Sequence, residues 1–327
     1  MNPAKTPVKT TVRTRLLTAA EFQDLAKVPP EAEWFRNIRS PATKRAYENA
    51  IKDLMRFAGI KRPEEFRGVT RAHVIAWRDD LGDRVLPKGE GLSGTTIRHR
   101  LAALSSLYQY LCDRNAVTHN PVKGVKRPLS ETEESKTPAL GDHQARKLLK
   151  APDEQSLKGI RDRAILATLL YHGLRRDELC KLRVRDYKHE RRGARHLKVT
   201  GKGEKIRYVP LHGIASDLID DYLSKAGHGG DHAGALFRPF RDSKGGGRKK
   251  AITPDGVYKL VKKYSALLGF EIGAHALRAT AATNALDHDA DIAKVQEWLG
   301  RANIATTRIY DHRKTRLEDS PTFKITY

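Results

Sequence analysis

The sequence is poor in cysteine and in long apolar segments. Its two cysteines, Cys112 and Cys180, can form one bridge at most and have no metal-ligand spacing, so two small reduced side chains are favoured over a disulfide or a metal site. The longest nearly apolar run, Ala164 to Tyr171, is far shorter than a membrane span. Residues 1–16 are basic and have no apolar stretch of the secretory type, so we expect a cytoplasmic protein.

Acidic residues are also scarce, and this imbalance indicates a class of partner. The chain has 62 Lys and Arg against 39 Asp and Glu, which gives a formal net charge of +23. A surplus of this size attracts polyanions by releasing their counterions. Nucleic acid is the leading candidate, and a membrane surface is a weaker one because no basic amphipathic anchor is visible. Charge alone does not separate an enzyme that acts on DNA from a protein that only binds it.

Two common routes to phosphate chemistry have no signature in the chain. It contains no G-x-x-x-x-G-K-[ST] loop, which argues against nucleotide hydrolysis. Several histidines have no carboxylate partner at metal-ligand spacing, namely His143, His172, His212, His228 and His232. We therefore expect no cofactor and no metal ion.

The chain divides into a helical first part and a mixed second part. The predicted organisation is a flexible basic arm at 1–16, a helical domain at 17–128, a linker at 129–137 and a second domain at 138–327, whose tail is 311–327. Apolar residues at helical spacing predict helices in the first part at Glu33–Ile38, at Pro41–Gly59, from Thr70 to about Leu81, and from Thr95 or Thr96 to about Leu111.

The second part alternates between helical and strand-like patterns. Helices are predicted at Asp142–Lys150, Ile160–His172, Pro254–Leu268, His275–Leu286 and Asp291–Leu299. Strands are predicted at His196–Thr200 and Arg207–Val209, around the turn Gly201-Lys202-Gly203. Residues 226–250 are rich in glycine and basic residues and are predicted to be a mobile loop. The expected fold class is mainly α with a small β-sheet.

Basic side chains concentrate at the end of the first part and in the glycine-rich loop. The segment Thr95–Pro128 contains a single acid, Asp113. A solvated face of a helical bundle would also be basic, but the bias in sign favours a surface that faces DNA. The candidate DNA-binding residues are Arg98, Arg100, Lys123, Lys126, Arg127, Lys249 and Lys250.

Three short segments carry side chains suited to a phosphate. Arg175 follows Gly-Leu at a predicted helix start, where a guanidinium and free backbone N–H groups can face an anion. His275 and Arg278 are three residues apart, so both lie on one helix face, where one can manage a proton and the other can clamp oxygens. Tyr310 comes nine residues after Arg301. Each segment alone is a weak signal.

In combination and in this order, the segments resemble the catalytic signature of the tyrosine recombinase, or phage integrase, family. The resemblance covers Thr137 to Tyr310, and the helices before it fit that family's core-binding domain. It implies a C-shaped DNA clamp made of a helical core-binding domain and a mixed α/β catalytic domain. It also implies the catalytic residues: Tyr310 as the nucleophile, Arg175, Lys202 in the hairpin turn, His275, Arg278 and Arg301, with Glu178 in support.

The resemblance further implies the reaction and the partners. The expected activity is site-specific recombination of double-stranded DNA through a 3′-phosphotyrosyl intermediate, without ATP or metal, by a tetramer on two DNA sites, with room for accessory DNA-bending proteins. Because a tyrosine side chain has a pKa of about 10, attack at neutral pH needs a proton acceptor and a well-screened phosphate. His275 would accept that proton, and Lys202 would protonate the leaving 5′ oxygen.

Two positions depart from a simple match and keep alternatives open. Arg301 stands where the family usually has His and sometimes Trp; arginine can donate hydrogen bonds to a phosphoryl oxygen but cannot accept a proton. Lys205 is close enough to Lys202 to exchange roles with it. The alternatives are a catalytically weakened DNA-binding protein of the same fold and a type IB topoisomerase, which has a similar tyrosine and cationic pocket. The tail after Tyr310 favours a recombinase, since in the family such a segment packs on a neighbouring protomer.

Overall fold

The chain separates into two units, each with its own hydrophobic core. The computed structural model describes residues 23–24, 28–85, 91–129, 138–240, 250–301, 303–308, 310 and 322, and of residues 202, 305 and 306 it describes the backbone alone. Contacts divide the chain after residue 132. The expected arm, most of the expected linker and nearly all of the expected tail lie outside the described residues.

The regular structure of the first unit is helical. Its long helices are α1 (Pro30–Asn37), α2 (Pro41–Ala58), α3 (Arg71–Asp83) and α4 (Gly94–Asp113), and a 3-10 turn at Pro63–Gly68 connects α2 to α3. Helix α4 packs against each of the other three. The helical prediction is confirmed, although α1 begins earlier than expected because Pro30 suits the first turn of a helix.

The boundaries of α2 follow directly from the sequence. The Ser40 hydroxyl accepts a hydrogen bond from the Thr43 N–H at 3.4 Å, and Pro41 occupies the first turn. Gly59 ends the helix in the left-handed region, with φ of 70°, a conformation that costs glycine little. With both ends set, the face of helix α2 that carries Ala50, Asp53 and Leu54 is buried in the core of the unit.

A buried carboxylate, Asp53, lies on that inner face and connects the helices. The residue is 4% exposed, and its oxygens accept hydrogen bonds from Trp77 Nε1 at 3.1 Å, Arg84 Nη1 at 2.7 Å and Arg100 Nη1 at 2.7 Å. Burial by itself raises the pKa of Asp53, but the bonds from Arg84 and Trp77 and the charge of Arg100 lower it below its usual value. Asp53 is thus an ion-pair hub that joins α2, α4 and the end of α3.

The second unit surrounds a central helix with further helices and a small sheet. In chain order the elements are α5 (Asp142–Lys150), α6 (Leu157–His172), α7 (Arg176–Lys181), α8 (Val184–Tyr187), β1 (His189–Arg191), β2 (Ala194–Thr200), β3 (Ile206–Pro210), α9 (Gly213–Ala226), α10 (Pro254–Ala266), α11 (Ala274–Asp287), α12 (Ile292–Leu299) and α13 (Ala305–Arg308). Helix α6 contains the apolar run found in the sequence and packs against α5, α9 and α11. A helix that is apolar on most sides is expected at the centre of a unit.

The three strands form an antiparallel sheet in the order β1, β2, β3. Leu197 pairs with Val209, and Val199 pairs with Arg207. A short 3-10 turn at Lys202–Glu204 joins β2 to β3. The predicted fold class, mainly α with a small β-sheet, is confirmed. The hairpin brings Arg207 within hydrogen-bonding distance of Glu178 on helix α7.

One local prediction is wrong, and helices α8 and α9 were not anticipated. Val184–Tyr187 forms the helical turn α8, and Gly213–Ala226 forms α9. The loop predicted to be mobile at 226–250 is built into the core over its first half: Leu236 and Phe237 are 0% and 1% exposed, and the Ile252 N–H donates to the Phe237 carbonyl at 2.9 Å. The glycines around Leu236 and Phe237 made the sequence pattern typical of a mobile loop. The structure differs because these two apolar side chains are buried in the core. Residues 241–249 of that loop lie outside the described residues.

Cysteine and membrane expectations can also be compared with the structure. Cys112 and Cys180 are free and half-buried. Over the part of the chain that the structure describes, no helix has the length and apolar character needed to cross a membrane.

Candidate active site

Separate elements of the second unit bring most of the candidate catalytic residues together. Arg175 precedes α7, His275 and Arg278 lie on α11, Arg301 follows α12, and Tyr310 follows α13. Lys202 begins the turn between β2 and β3, but its side chain lies outside what the structure describes. The contacts below divide into a group around Tyr310 and a group around Glu178.

The Tyr310 hydroxyl lies between a cation and an imidazole. Arg301 Nη2 donates a hydrogen bond to this hydroxyl, and the Arg301 guanidinium carbon lies 4.4 Å from the centroid of the tyrosine ring. On the other side His275 Nε2 is 3.4 Å from the same oxygen. A cation stabilises a developing phenolate and an imidazole can take its proton, so these two contacts suit a nucleophilic tyrosine.

The backbone and ring of Tyr310 are fixed by the rest of the unit. Thr283 Oγ1 donates to the Tyr310 carbonyl at 3.1 Å, and the Tyr310 N–H donates to the Thr307 carbonyl at 2.9 Å. Tyr310 is 2% exposed and belongs to a small apolar cluster with Ala279, Ala282, Leu286, Val295 and Leu299. Its hydroxyl is therefore aimed by packing as well as by hydrogen bonds.

The surroundings of His275 favour its neutral form. Desolvation of the ring, followed by the charges of Arg278 and Arg301 and those of Arg175 and Arg176, lowers the pKa of His275 below its usual 6.5. At pH 7 the imidazole is consequently unprotonated and able to accept a proton. Burial and the neighbouring arginines together thus give His275 the state that a general base requires.

Arg278 is buried and holds two backbone segments. The residue is 1% exposed, and its Nη1 and Nη2 donate to the carbonyls of Gly173 at 2.5 Å and Leu299 at 2.6 Å. Its Nε is buried without a hydrogen-bond partner among the described residues. Burial, with the nearby charge of Arg175, lowers the pKa of Arg278 to about 9, so it is still a cation at neutral pH.

Gly173 occupies the narrowest point between these segments. It ends α6 with φ of 55°, and a β-carbon added there would lie 2.9 Å from Leu299 Cδ2 and 3.1 Å from the Trp298 ring. A side chain here would force the Leu299 and Trp298 side chains to move and would be held at a strained backbone angle. The Gly173 carbonyl can therefore meet Arg278 while the backbone turns directly into Leu174 and Arg175.

Glu178 collects the guanidinium groups on the other side of the site. Its carboxylate accepts bonds from the Arg175 N–H at 2.9 Å, from Arg175 Nη1 at 2.8 Å, and from Arg207 Nη1 and Nη2 at 3.0 and 2.8 Å. Arg278 Nη1 is 3.9 Å from the same carboxylate. Burial raises the pKa of Glu178, but Arg207 and Arg175 outweigh it and bring the value to about 2. Glu178 therefore stays ionised and orients several cations.

Arg207 is the site residue that the sequence did not reveal. It lies on β3, donates hydrogen bonds from both terminal nitrogens to Glu178, and donates a third from Nε to the Trp298 carbonyl at 3.1 Å. These partners are 29 and 91 residues away along the chain. No local pattern reports contacts of that separation, and Arg207 was assigned only to a predicted strand.

An open cleft adjoins the exposed members of the site. It has a volume of about 360 Å³. The Arg175 side chain is 40% exposed and lies on this cleft together with His275. The complete lining is Leu174, Arg175, Arg176, Asp177, Tyr258, Gly273, Ala274 and His275. Two arginines and a neutral histidine around an open cleft suit a phosphodiester.

The candidate DNA-binding residues of the first unit differ in their surroundings. Arg100 pairs with Asp53, as described above, and Arg98 Nη1 donates to the Pro128 carbonyl at 3.1 Å. The side chains of Lys123, Lys126 and Arg127 are exposed. In the second unit Lys250 is exposed, and Lys249 lies outside the described residues.

Comparison with known proteins gives two family matches and many relatives. The profile of the phage integrase family matches residues 139–316, and that of the phage integrase N-terminal SAM-like domain matches residues 34–115. The chain is 31% identical over 290 residues to tyrosine recombinase XerD of Listeria monocytogenes serotype 4b, covering 86% of this chain and 91% of that protein. It is 32% identical over 280 residues to tyrosine recombinase XerC of Pelobacter propionicus, with coverage of 85% and 86%.

Solved structures share the fold at lower sequence identity. The XerH site-specific recombinase bound to palindromic difH substrate, in a post-cleavage complex, matches with a TM-score of 0.65 and 21% identity over 84% of this chain and 78% of that one. A lambda integrase tetramer bound to a Holliday junction matches with a TM-score of 0.64 and 17% identity over 93% and 81%.

Proposed function

The chain belongs to the phage integrase family of tyrosine recombinases, which are enzymes that cleave and rejoin DNA, and we propose that it cuts duplex DNA at specific sites through Tyr310. The observation that carries this proposal is the Tyr310 hydroxyl, held between Arg301 Nη2 and His275 Nε2. A tyrosine with only a packing role would not need both a cation and a neutral imidazole at its oxygen.

The proposed reaction exchanges one phosphate ester for another. The Tyr310 oxygen attacks the scissile phosphorus while its proton passes to His275, and the bond from phosphorus to the 5′ oxygen breaks. Lys202 gives a proton to the departing 5′ oxygen. The products are a 3′-phosphotyrosyl bond and a free 5′ hydroxyl. Attack by a 5′ hydroxyl from another strand reverses the steps and rejoins the DNA, so no nucleotide is hydrolysed.

The arginines have different parts in this proposal. Arg175, which is partly exposed on the cleft, binds the non-bridging phosphate oxygens. Arg301 stabilises negative charge on the tyrosine oxygen. Arg278 adds positive charge from a buried position and fixes the backbone before Arg175 and before Arg301. Glu178 holds Arg175 in place.

The arginine at position 301 also bears on the weakened-enzyme alternative. Arginine cannot accept a proton, but at this position it donates to the nucleophile, and His275 is available as the acceptor. The geometry therefore supports an active enzyme. The relatives are named as recombinases and integrases, which favours recombination over relaxation by a topoisomerase-like enzyme.

The substrate and the assembly follow from the same relatives. We propose double-stranded DNA as the substrate and a tetramer on two DNA sites as the active assembly. We further propose accessory DNA-bending proteins as partners. The exposed side chains of Lys123, Lys126 and Arg127 would contact phosphates, and Arg98, Arg100, Lys249 and Lys250 would add positive charge.

A covalent-trapping experiment tests the proposal. Duplexes selected by the protein from a random DNA library are nicked at each position in turn, so that cleavage beside a nick releases a short fragment and traps the protein on DNA. The wild-type protein should give an adduct that survives denaturing electrophoresis. Tyr310→Phe should give none while its Kd for the same duplex stays within about twofold, because only the nucleophilic oxygen is lost. DNA binding without an adduct at any nick would overturn the proposal.

A plasmid assay separates the two enzymatic alternatives. A supercoiled plasmid with two copies of the selected site should give recombinant products, identified by restriction digestion. The control plasmid has one copy. Relaxation of both plasmids without recombinants would instead identify a topoisomerase-like activity.

A further inference from the structure

Arg207 connects two parts of the site that are distant in sequence. From β3 it forms a bidentate pair with Glu178, and its Nε donates to the Trp298 carbonyl near the end of α12. The Arg207 side chain is 15% exposed, so these bonds are largely shielded from water. A planar guanidinium with three donating nitrogens can hold a carboxylate and a carbonyl at once.

Two glycines lie against Arg207, and each precedes a proposed catalytic residue. A β-carbon added at Gly300, just before Arg301, would lie 3.2 Å from Arg207 Cδ and 3.3 Å from its Nη1. A β-carbon added at Gly201, just before Lys202, would lie 3.5 Å from Glu178 Oε1 and 3.7 Å from Arg207 Nη1. The turn that carries Lys202 and the turn that carries Arg301 therefore pack on the same side chain.

The two turns differ in what else holds them. The Leu299 carbonyl, one residue before Gly300, also receives the bond from Arg278. The Gly201 N–H donates to the Lys205 carbonyl, which is a bond within the hairpin itself. Loss of Arg207 would thus leave the Arg301 turn one support and would release the hairpin turn from Trp298.

We propose that Arg207 is a positioning residue that sets the place of the Lys202 hairpin relative to the Arg301 turn. It touches no reacting atom and acts through Gly201 and Glu178. This role rests on the proposed function, because it assumes that Lys202 protonates the leaving 5′ oxygen. A displacement of about 1 Å at a reacting group costs on the order of 100-fold in rate, so a positioning defect should be large.

The test compares Arg207→Met, Arg207→Lys and a control, Arg195→Met. Arg195 is on the neighbouring strand β2 and pairs with Asp220 at 2.9 Å, away from the Glu178 contacts, so its loss should leave cleavage unchanged. Single-turnover adduct formation is measured on the nicked duplex with protein in excess. Arg207→Met should cleave on the order of 100-fold more slowly with a Kd within about twofold of wild type. Arg207→Lys keeps the charge but not the planar fork, and should stay at least about tenfold slow.

A second substrate identifies protonation of the leaving group, the proposed role of Lys202, as the affected step. Sulfur replaces the bridging 5′ oxygen at the scissile phosphate, so the leaving group is a thiolate, which needs no proton because thiols have a pKa of about 8.5. If Arg207 acts by placing Lys202, this substrate should restore most of the lost rate in Arg207→Met. It should not restore Tyr310→Phe, which lacks the nucleophile.

Each result decides the matter. Equal slowing on the oxygen and sulfur substrates, wild-type rates in both Arg207 variants, or full recovery by Arg207→Lys would overturn the positioning role. If Arg207→Met does not fold, as judged by circular dichroism, Arg207→Lys on the two substrates makes the same comparison. Failure of the wild-type protein to form any adduct would overturn the proposed function itself. A defect seen only in the Arg207 variants would leave the proposed function intact, so the two failures can be told apart.

Discussion

Each unit contains a buried carboxylate that gathers arginines, and the two clusters are built differently. In the first unit Asp53 pairs with Arg56, Arg84 and Arg100, whose side chains are 79%, 32% and 26% exposed, and a second acid, Asp80, also pairs with Arg84. In the second unit Glu178 contacts Arg175, Arg207 and Arg278, and Arg278 is almost completely buried. Within the described residues no second carboxylate pairs with these three arginines.

The difference appears in the pKa values of one arginine from each cluster. The hydrogen bond to Asp53 outweighs desolvation and raises the pKa of Arg84. Burial and the charge of Arg175 lower the pKa of Arg278 to about 9, even though Glu178 is near. The Asp53 cluster stabilises its cations, whereas the Glu178 cluster contains more positive charge than its acid can balance.

An excess of buried positive charge is costly for folding and useful for binding an anion. Arginines that lack a countercharge destabilise a protein until a negative group arrives. The Asp53 cluster therefore has the character of a structural ion pair. The Glu178 cluster is suited to the added charge of a phosphoryl transition state.

The largest expected difference between the clusters is in the cleavage rate after one arginine of each is replaced by methionine. Arg278→Met should slow single-turnover adduct formation by on the order of 1000-fold, because one preorganised positive charge is lost from the site. Arg84→Met, from the Asp53 cluster, should keep the wild-type cleavage rate in the fraction that is folded. Similar slowing in both variants would show that the comparison between the clusters is wrong.

A smaller effect is expected on stability when each carboxylate is neutralised. Glu178→Gln should lower the free energy of unfolding by about 3 kcal/mol, since it leaves Arg207 and Arg278 buried without a countercharge. Asp53→Asn should cost about 1 to 2 kcal/mol, because its arginines reach solvent. Urea unfolding followed by circular dichroism gives both values. A larger loss in Asp53→Asn would contradict the assignment of excess charge to the Glu178 cluster.

The smallest effect is a dependence of that difference on pH. Glu178 has a pKa of about 2 in the folded protein against an ordinary value of 4.5, so its ionised form contributes full stability above about pH 4.5. That contribution is lost as the pH falls from about 4.5 to about 2. The stability gap between wild type and Glu178→Gln should thus be constant near neutral pH and shrink in acid. His172, whose pKa burial lowers to about 4, titrates in both proteins and cancels from the gap. A gap that does not change down to about pH 2 would show that folding does not lower the pKa of Glu178.

Much of the fold could be predicted because its signals are local. Caps and apolar spacing determine α2, and α5 matches its predicted range, Asp142–Lys150. The spacing of His275 and Arg278 placed both on α11. Each of these features depends on residues within a few positions of one another, which is the range that helical periodicity reports.

The features that were missed depend on contacts across the chain. Arg207 gains its place from Glu178 and Trp298, and Arg278 is buried by carbonyls of residues 173 and 299. The segment around Leu236 and Phe237 packs into the core through those two side chains. The many glycines nearby gave this segment the sequence pattern of a mobile loop. A one-dimensional pattern contains the residue types for such contacts but not the pairing between them.

Gly173 is a position at which amino-acid substitution is strongly constrained. Its φ of 55° strains any side chain, and a β-carbon 2.9 Å from Leu299 Cδ2 would force that side chain to move. A smaller residue at 299 would remove one close contact but leave the Trp298 ring at 3.1 Å and the backbone angle unchanged. The carbonyls of residues 173 and 299 are also bonded to Arg278. Neutral drift or directed evolution is therefore expected to keep glycine at this position, because a replacement needs simultaneous changes in the residues around it.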